Sequence, residues 1–474
     1  MKQLIIILNA IVILLCSILL LLYNNGYDAD IQLASITLSI VPIVLYFIHN
    51  NRIASLKGLY LRTSYIFLLG YIIVFFQLNL DLILCYVSPT NSVFANPVVI
   101  NKCSLLSVIG LCSYFIGNAI AINKDNNFSL KQSFKHSLPR RFLVFQSALL
   151  SIFTLLYLFF NAVHILNGDF IYSEDTMSEK AGSLSNYSSV MVLVLTFTRL
   201  ASNAFNIKYN NEKLSFFDFL KSNGLLFNIS VFMYIAFIFM TGDRGPIITI
   251  VLAHAITYVT ISRKKIKLSV LVLFILTGGL FITAIGEIRK STNLLTLSDI
   301  LLYKGNNVKQ SILPITSELA GSYGTFTNVV KEIPESHDYF YGVMQLRELV
   351  CAVPFLYRFI PFVFSSKDYE NSSSSYCTYL IQGANRTYGN GSSILADLYI
   401  DFGYVGIVVF MFIIGHLVVK FDYELYFGRN IYWQMAAVVF FSFSIYISRA
   451  TLTTPLYYMI PSFIIMFSSK LFKS

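Results

Sequence analysis

LIIILNAIVILLCSILLLL, residues 4–22, decides the fold. Asn9 and Ser17 are its only strongly polar side chains, and it carries no charge. A helix rises about 1.5 Å per residue, so a run of this length covers most of a ~30 Å hydrocarbon core. Inside lipid every backbone N–H and C=O must be satisfied internally, which leaves helices and closed barrels. A barrel strand would show about ten residues of alternating polarity, and this run does not alternate. Lys2 is the only basic residue before it and no small-residue cleavage site follows, so the run reads as a retained span rather than a signal peptide.

The same pattern recurs along the chain. Of its 474 residues 56% are hydrophobic and only 12% are charged, about half the charge of a soluble domain. The sequence predicts an all-α polytopic integral membrane protein of twelve transmembrane helices. The expected spans are 4–22, 31–48, 64–87, 103–122, 142–163, 187–206, 224–241, 246–261, 268–285, 394–419, 432–449 and 456–469. Residues 1–285 thus hold helices one to nine, 286–392 form one large loop, and 393–474 hold helices ten to twelve.

Basic residues orient the chain. Lys2, Arg52, Lys57, Arg62, the five between 124 and 141, Lys208, Lys213, Lys221, the four between 263 and 267, Lys420, Arg429, Lys470 and Lys473 make twenty on one side. The alternate short connections hold four: Lys102, Lys180, Arg244 and Arg449. This places both termini in the cytoplasm and the 286–392 loop outside. The net charge of +10 is therefore a topology signal and not a nucleic-acid footprint.

Within the loop, 299–333 has helical periodicity broken by Gly305 and Pro314. GVMQLRELVCAVPFLYRFIP, residues 342–361, places Met344, Leu346, Leu349, Val350 and Val353 near one helical face. Both stretches predict amphipathic helices lying on the membrane or capping the bundle. Residues 367–375 read as a polar loop. GANRTYGNGSS, residues 383–393, is rich in glycine but lacks the lysine of a nucleotide-binding loop. Cys351 and Cys377 share this loop and would form a disulfide only in an oxidising compartment; free thiols are the expectation. No Cys/His spacing suits zinc and no HExxH occurs, so neither metal nor cofactor is expected.

TGDRGP, residues 241–246, is a tight outward turn between two spans, with Pro246 suited to the first turn of the next helix. Its Arg244 presents a planar fork of donors that fits phosphate oxygens in pairs. Glu287 and Arg289 end the ninth span and Arg449 ends the eleventh, so all three can converge with Arg244 on one outward cavity. Interfacial snorkelling, with Asp243 beside Arg244, is the structural alternative. Arg347, Arg358 and Arg386 are further outward arginines suited to a polyanion. Asp81 and Arg199 fall inside spans, where a charge needs a partner. His337 is the loop's only histidine.

FMTGDRGP (239–246) resembles the turn of the O-antigen polymerases, the Wzy-type repeat-unit polymerases. GSSILADLYIDFGYVG (391–406) resembles the start of the span after their large periplasmic loop. Span number and loop position agree along the whole chain. The related ligases carry a histidine where this chain has Ser392, which favours polymerase over ligase. The Arg-x10-Gly repeats of some polymerases are absent. The resemblance implies transfer of a growing glycan from undecaprenyl diphosphate to an incoming lipid-linked repeat unit, at the periplasmic face of a bacterial inner membrane. It implies membrane lipid and a chain-length regulator protein as further partners. On that reading Arg244, Arg289, Arg449 and Glu287 are the expected catalytic set, and Asp243, Arg347, Arg386 and Asp401 bind substrate. Glu287, Asp397 and Asp401 are the candidate bases. The alternatives are a lipid-linked oligosaccharide flippase, a ligase or a non-catalytic scaffold; the long outward loop favours an enzyme over a transporter.

Overall fold

A computed structural model describes residues 1–22, 26–53, 58–88, 96–122, 137–166, 182–209, 214–241, 243–262, 278, 311–313, 316–353, 355–428 and 430–472. Every described element is helical. The chain runs α1 (Lys2–Leu22), α2 (Ala29–Arg52), α3 (Thr63–Ile83), α4 (Ile100–Ala121), α5 (Arg140–Leu166), α6 (Gly182–Tyr209), α7 (Phe216–Asn223), α8 (Leu225–Thr241) and α9 (Gly245–Ser262). The long loop contributes α10 (Ser317–Ala320), α11 (Ser322–Glu332), α12 (Val343–Ala352), α13 (Leu356–Phe359) and α14 (Ser373–Gln382). The chain then returns through α15 (Ile394–Phe427), α16 (Ile431–Phe443) and α17 (Thr454–Phe467).

Eight described helices are long and apolar enough to cross a membrane: α1 to α6, α9 and α15. The α7–α8 pair, bent by 98°, makes a ninth if taken as one span. The bend falls at Gly224, whose φ of +88° is open to glycine at little cost. Ser215 caps α7 by accepting from the Asp218 N–H. The predicted ninth span, 268–285, lies outside the described residues apart from Gly278. The predicted eleventh span is shortened to α16, and the twelfth is α17, of the expected length but starting two residues earlier. The chain leaves α16 at Phe443, passes through a 3-10 turn, Ile447–Arg449, and restarts at Thr454. Arg449 therefore sits in a turn, not on the end of a long helix.

The helices stack with their polar ends segregated. At one end Lys2 donates to the carbonyls of Ile120 and Ile122 at 3.0 and 3.3 Å, and the Thr63 N–H donates to Asp422 at 2.6 Å. At the other end the long segment closes the bundle. Tyr323, Phe326, Val329 and Val330 of α11 are buried in its core. The Tyr323 hydroxyl meets the Ser104 hydroxyl of α4 at 2.9 Å. Asp81 of α3 accepts from the Ser311 hydroxyl at 2.6 Å and the Ile312 N–H at 2.8 Å. Gln77, one turn earlier on α3, donates to the Ser311 hydroxyl and the Leu313 carbonyl. Asp81 thus anchors the long segment to the bundle.

Arg199, the other charge read inside a span, is also buried, donating to the Asn223 carbonyl at 2.9 Å and the Ser147 hydroxyl at 3.3 Å. The 367–375 stretch is more ordered than a polar loop. Asp368–Asn371 forms a 3-10 turn, and Ser372 caps α14 by accepting from the Ser375 N–H.

The closest helix contact pairs α4 with α15. A Cβ added at Gly117 would stand 2.0 Å from the Phe412 carbonyl oxygen, and one at Gly415 2.1 Å from that of Tyr114. Two glycines facing opposite backbones let the helices approach as small residues do in membranes. Gly415→Ala should therefore lower the thermal midpoint of the detergent-solubilised protein, with overpacking costs of about 1–3 kcal/mol. A scanning measurement showing an unchanged midpoint would contradict this contact.

Candidate functional site

The long-segment end is organised by a broken helix. α15 holds helical geometry from Ile394 to Phe402, breaks at Gly403 (φ 59°, ψ −142°), and resumes to Phe427. That backbone region is essentially closed to residues with a Cβ, and a Cβ there would also lie 2.9 Å from the Tyr339 hydroxyl. Ser393 caps the first half by accepting from the Ala396 N–H at 3.3 Å. This half carries Asp397 and Asp401, one turn apart and both fully buried.

Asp401 caps a second helix. Its carboxylate accepts from the N–H groups of Gly342, Met344 and Gln345 at 3.1, 3.2 and 2.9 Å. These are donors at the start of α12 that have no partner inside that helix. The N–H groups of Phe340 and Tyr341 donate to the Ile400 and Asp401 carbonyls. α12 is thereby fixed on the half-helix.

Of the apolar face expected on α12, Met344 and Val350 are buried and Leu346 and Leu349 are exposed. Gln345, Glu348 and Ala352 complete the inward side. Glu348 accepts from the Ser373 N–H at 2.8 Å and from the Thr453 hydroxyl. Asp397 accepts from the Leu452 N–H at 2.8 Å. Leu452 and Thr453 are consecutive, so two carboxylates from α12 and α15 lie side by side against one turn. The Asp397 Oδ1 atom is buried with no hydrogen-bond partner, as is the Gln345 Nε2 atom. Burial pushes Glu348 above the ordinary carboxylate range, opposed by its hydrogen bonds from Thr453 and Ser373.

Ser392, at the position where the ligases carry histidine, is buried in the same network. Its hydroxyl meets that of Ser373 at 2.9 Å and the Cys377 thiol at 3.7 Å. Burial pushes the Cys377 thiol up to about 12. Cys351 and Cys377 are both free.

Arg449 closes the 3-10 turn Ile447–Arg449, three residues before Leu452, and the extended Ala450 separates it from the Leu452–Thr453 turn that the two carboxylates hold. Asp243 accepts from the Gly245 N–H at 3.1 Å and acts electrostatically on Tyr157, Tyr234 and, on α17, Tyr458. Tyr457, the neighbour of Tyr458, is within electrostatic range of Cys351 and Glu348.

The other expected residues stand apart. Arg347 donates to the carbonyls of Val363 and Glu370 at 2.9 and 2.6 Å, bracing the long segment internally. Arg386 is half-exposed on the 383–393 stretch. Arg358 is exposed beside the rings of Phe355 and Tyr357. His337 packs edge-on to Tyr376 and Tyr379. Glu287 and Arg289 lie outside the described residues. No group of three or more metal-ligating side chains occurs among the described residues. Glu348, Thr453 and Ser373 were missed as site residues. The available signal was a lone acidic residue at the spacing of Met344 and Ala352, on an otherwise apolar stripe.

These features define a polytopic membrane protein whose polar machinery is built into a helical cap at one end of its bundle. The O-antigen polysaccharide polymerase Wzy family matches residues 5–474, nearly the whole chain, and the chain belongs to that family. It is accordingly a polymerising, glycosyltransferase-type enzyme that acts on lipid-linked oligosaccharide repeat units in the membrane. No curated protein and no solved structure matches it.

The carboxylate pair makes a stability prediction. Because burial raises Glu348, its neutral form is favoured in the folded state. That contribution is full below about pH 4.5 and is lost as pH rises through the raised value. Glu348→Gln keeps an acceptor for the Ser373 N–H and does not titrate. Its thermal midpoint relative to the unmodified protein should rise with pH, whereas Glu348→Ala should be less stable by about 1–3 kcal/mol. A pH-independent difference for Glu348→Gln would contradict the assignment.

Proposed function

We propose that the enzyme joins repeat units at the periplasmic face of a bacterial inner membrane, with both termini in the cytoplasm. The acceptor is the non-reducing end of an incoming undecaprenyl-diphosphate-linked unit. Its hydroxyl oxygen attacks the anomeric carbon that links the growing chain to its own lipid diphosphate. The new glycosidic bond forms as the carbon–oxygen bond to diphosphate breaks, and the bonding pair leaves with undecaprenyl diphosphate. The hydroxyl proton passes to a base. A leaving dianion of this kind is stabilised by fixed cationic donors.

Arg244 and Arg449 supply those donors, with Arg289 as a third and Glu287 as a candidate base. Asp243 orients the Arg244 turn, and Arg386 meets the sugar phosphate or polyanionic parts of the substrate from the rim. Arg347 and Asp401 act by holding α12 in place. A chain-length regulator is the expected protein partner. The observation that carries this reading is the anchoring of Leu452 and Thr453, three and four residues beyond Arg449, to two buried carboxylates. An arginine held on so costly a support is positioned rather than merely exposed.

In cells lacking the gene, plasmid-borne Arg244→Ala or Arg449→Ala should abolish long O-chains on a glycan gel. Single-repeat products and protein abundance should stay intact, since flipping and ligation do not need these side chains. Removal of one stabilising donor is expected to slow transfer by roughly 10²–10³-fold. Arg449→Lys should be partly active, keeping charge without the paired donors. Normal ladders from either alanine variant would remove that residue from the site.

A further inference from the structure

α12 has two faces with opposite chemistry. One buries Met344 and Glu348 against the bundle. The other exposes Val343, Leu346 and Leu349. The exposed apolar surface continues along the chain through Phe355 and Tyr357 to Phe359 and Phe362, which are 78% and 83% exposed. Exposed aromatic rings at that level on a polar cap need a partner surface.

Three observations identify it. The first is charge. Between Tyr341 and Val363 the charged residues are Arg347, Glu348 and Arg358. Arg347 is tied to the Val363 and Glu370 carbonyls and Glu348 is buried, so the exposed face carries Arg358 alone. The second is height. The Phe355 ring lies 6.2 Å from that of Tyr187, in the first turns of the membrane-crossing α6. Leu184 and Tyr187 are themselves exposed, so the apolar surface of 343–362 is continuous with the lipid-facing side of a span, at its tyrosine-marked end. The third is rigidity. Arg347 braces the turn at Pro361–Val363, and Phe355 adopts φ +66°, which directs the chain out of α12 into α13.

We propose that residues 343–362 form a wedge seated in the leaflet on the long segment's side. Phe355, Phe359 and Phe362 enter the headgroup–acyl boundary and Arg358 meets the lipid phosphates. Wedges of this kind sit about 5–10 Å into that boundary. α12 then becomes a wall with lipid on one side and the Glu348–Asp397 pair on the other. The inference rests on the membrane-spanning fold and not on the assignment of the arginine site.

The chain has a single tryptophan, Trp433, which packs on Lys420 away from this segment. In a Trp433→Phe background, Phe362→Trp and, separately, Phe359→Trp place a reporter at the wedge. Tyr388→Trp places one on the exposed 383–393 stretch. Full-length protein is reconstituted into vesicles containing lipid brominated at the 6,7 positions of the acyl chain. Fluorescence of both wedge reporters should be lost in brominated relative to unbrominated vesicles and resist aqueous iodide, while the Tyr388 reporter shows the reverse. Wedge reporters quenched by iodide and untouched by the brominated lipid would overturn the proposal. So would reporters shielded from both, because they would mark a protein-covered surface.

Discussion

The cap of this enzyme depends on placing two carboxylates where water does not reach them. Glu348 and Asp397 are both buried, and a buried charge is costly unless it is paired and hydrogen-bonded. Their partners come from elsewhere: the Ser373 N–H of α14, and the Leu452 N–H and Thr453 hydroxyl of the turn before α17. Four pieces of chain, α12, α14, α15 and the turn before α17, are thus drawn to one point, and moving either partner segment would leave a carboxylate without its donor. Leu452 meets Asp397 through its backbone N–H and Thr453 meets Glu348 through its hydroxyl, which fixes the chain three residues beyond Arg449.

The break at Gly403 makes the arrangement possible. A straight α15 would carry Asp397 and Asp401 on a single unbroken axis with the rest of the span. Ending the first half at Phe402 frees that short helix to act as a platform, with Asp401 capping α12 and Asp397 holding the 452 turn. Lower in the bundle Gly415 lets the second half lie against α4. One sequence stretch thereby serves both the membrane packing and the cap.

Much of this was legible in the sequence and some was not. Apolar runs such as 4–22 announce membrane helices because length alone fixes whether a helix can cross lipid. The segregation of basic residues matched the polar end that gathers Lys2, Arg62 and Lys208. The break at Gly403 was not visible, because apolar sequence runs through it. α16 was read too long for the same reason, since the apolar run continues past Phe443. That Leu452 and Thr453 meet the two carboxylates leaves no mark in the local sequence. On α12 the apolar residues read as one face divide between two: Met344 and Val350 are buried while Leu346 and Leu349 are exposed. The inward face was marked instead by Glu348, which apolar periodicity passes over. Asp401's capping role depends on residues near 342, about which local sequence carries no signal.

On the proposed mechanism the Arg244 and Arg449 turns address one ligand. A double-mutant cycle on undecaprenyl diphosphate binding by the purified, nanodisc-embedded protein tests this directly. If both guanidinium groups hold the same diphosphate, the losses for Arg244→Ala and Arg449→Ala should be coupled, with an interaction energy of at least about 0.5 kcal/mol. Strictly additive losses, or binding unchanged by either substitution, would show that the two turns serve different purposes.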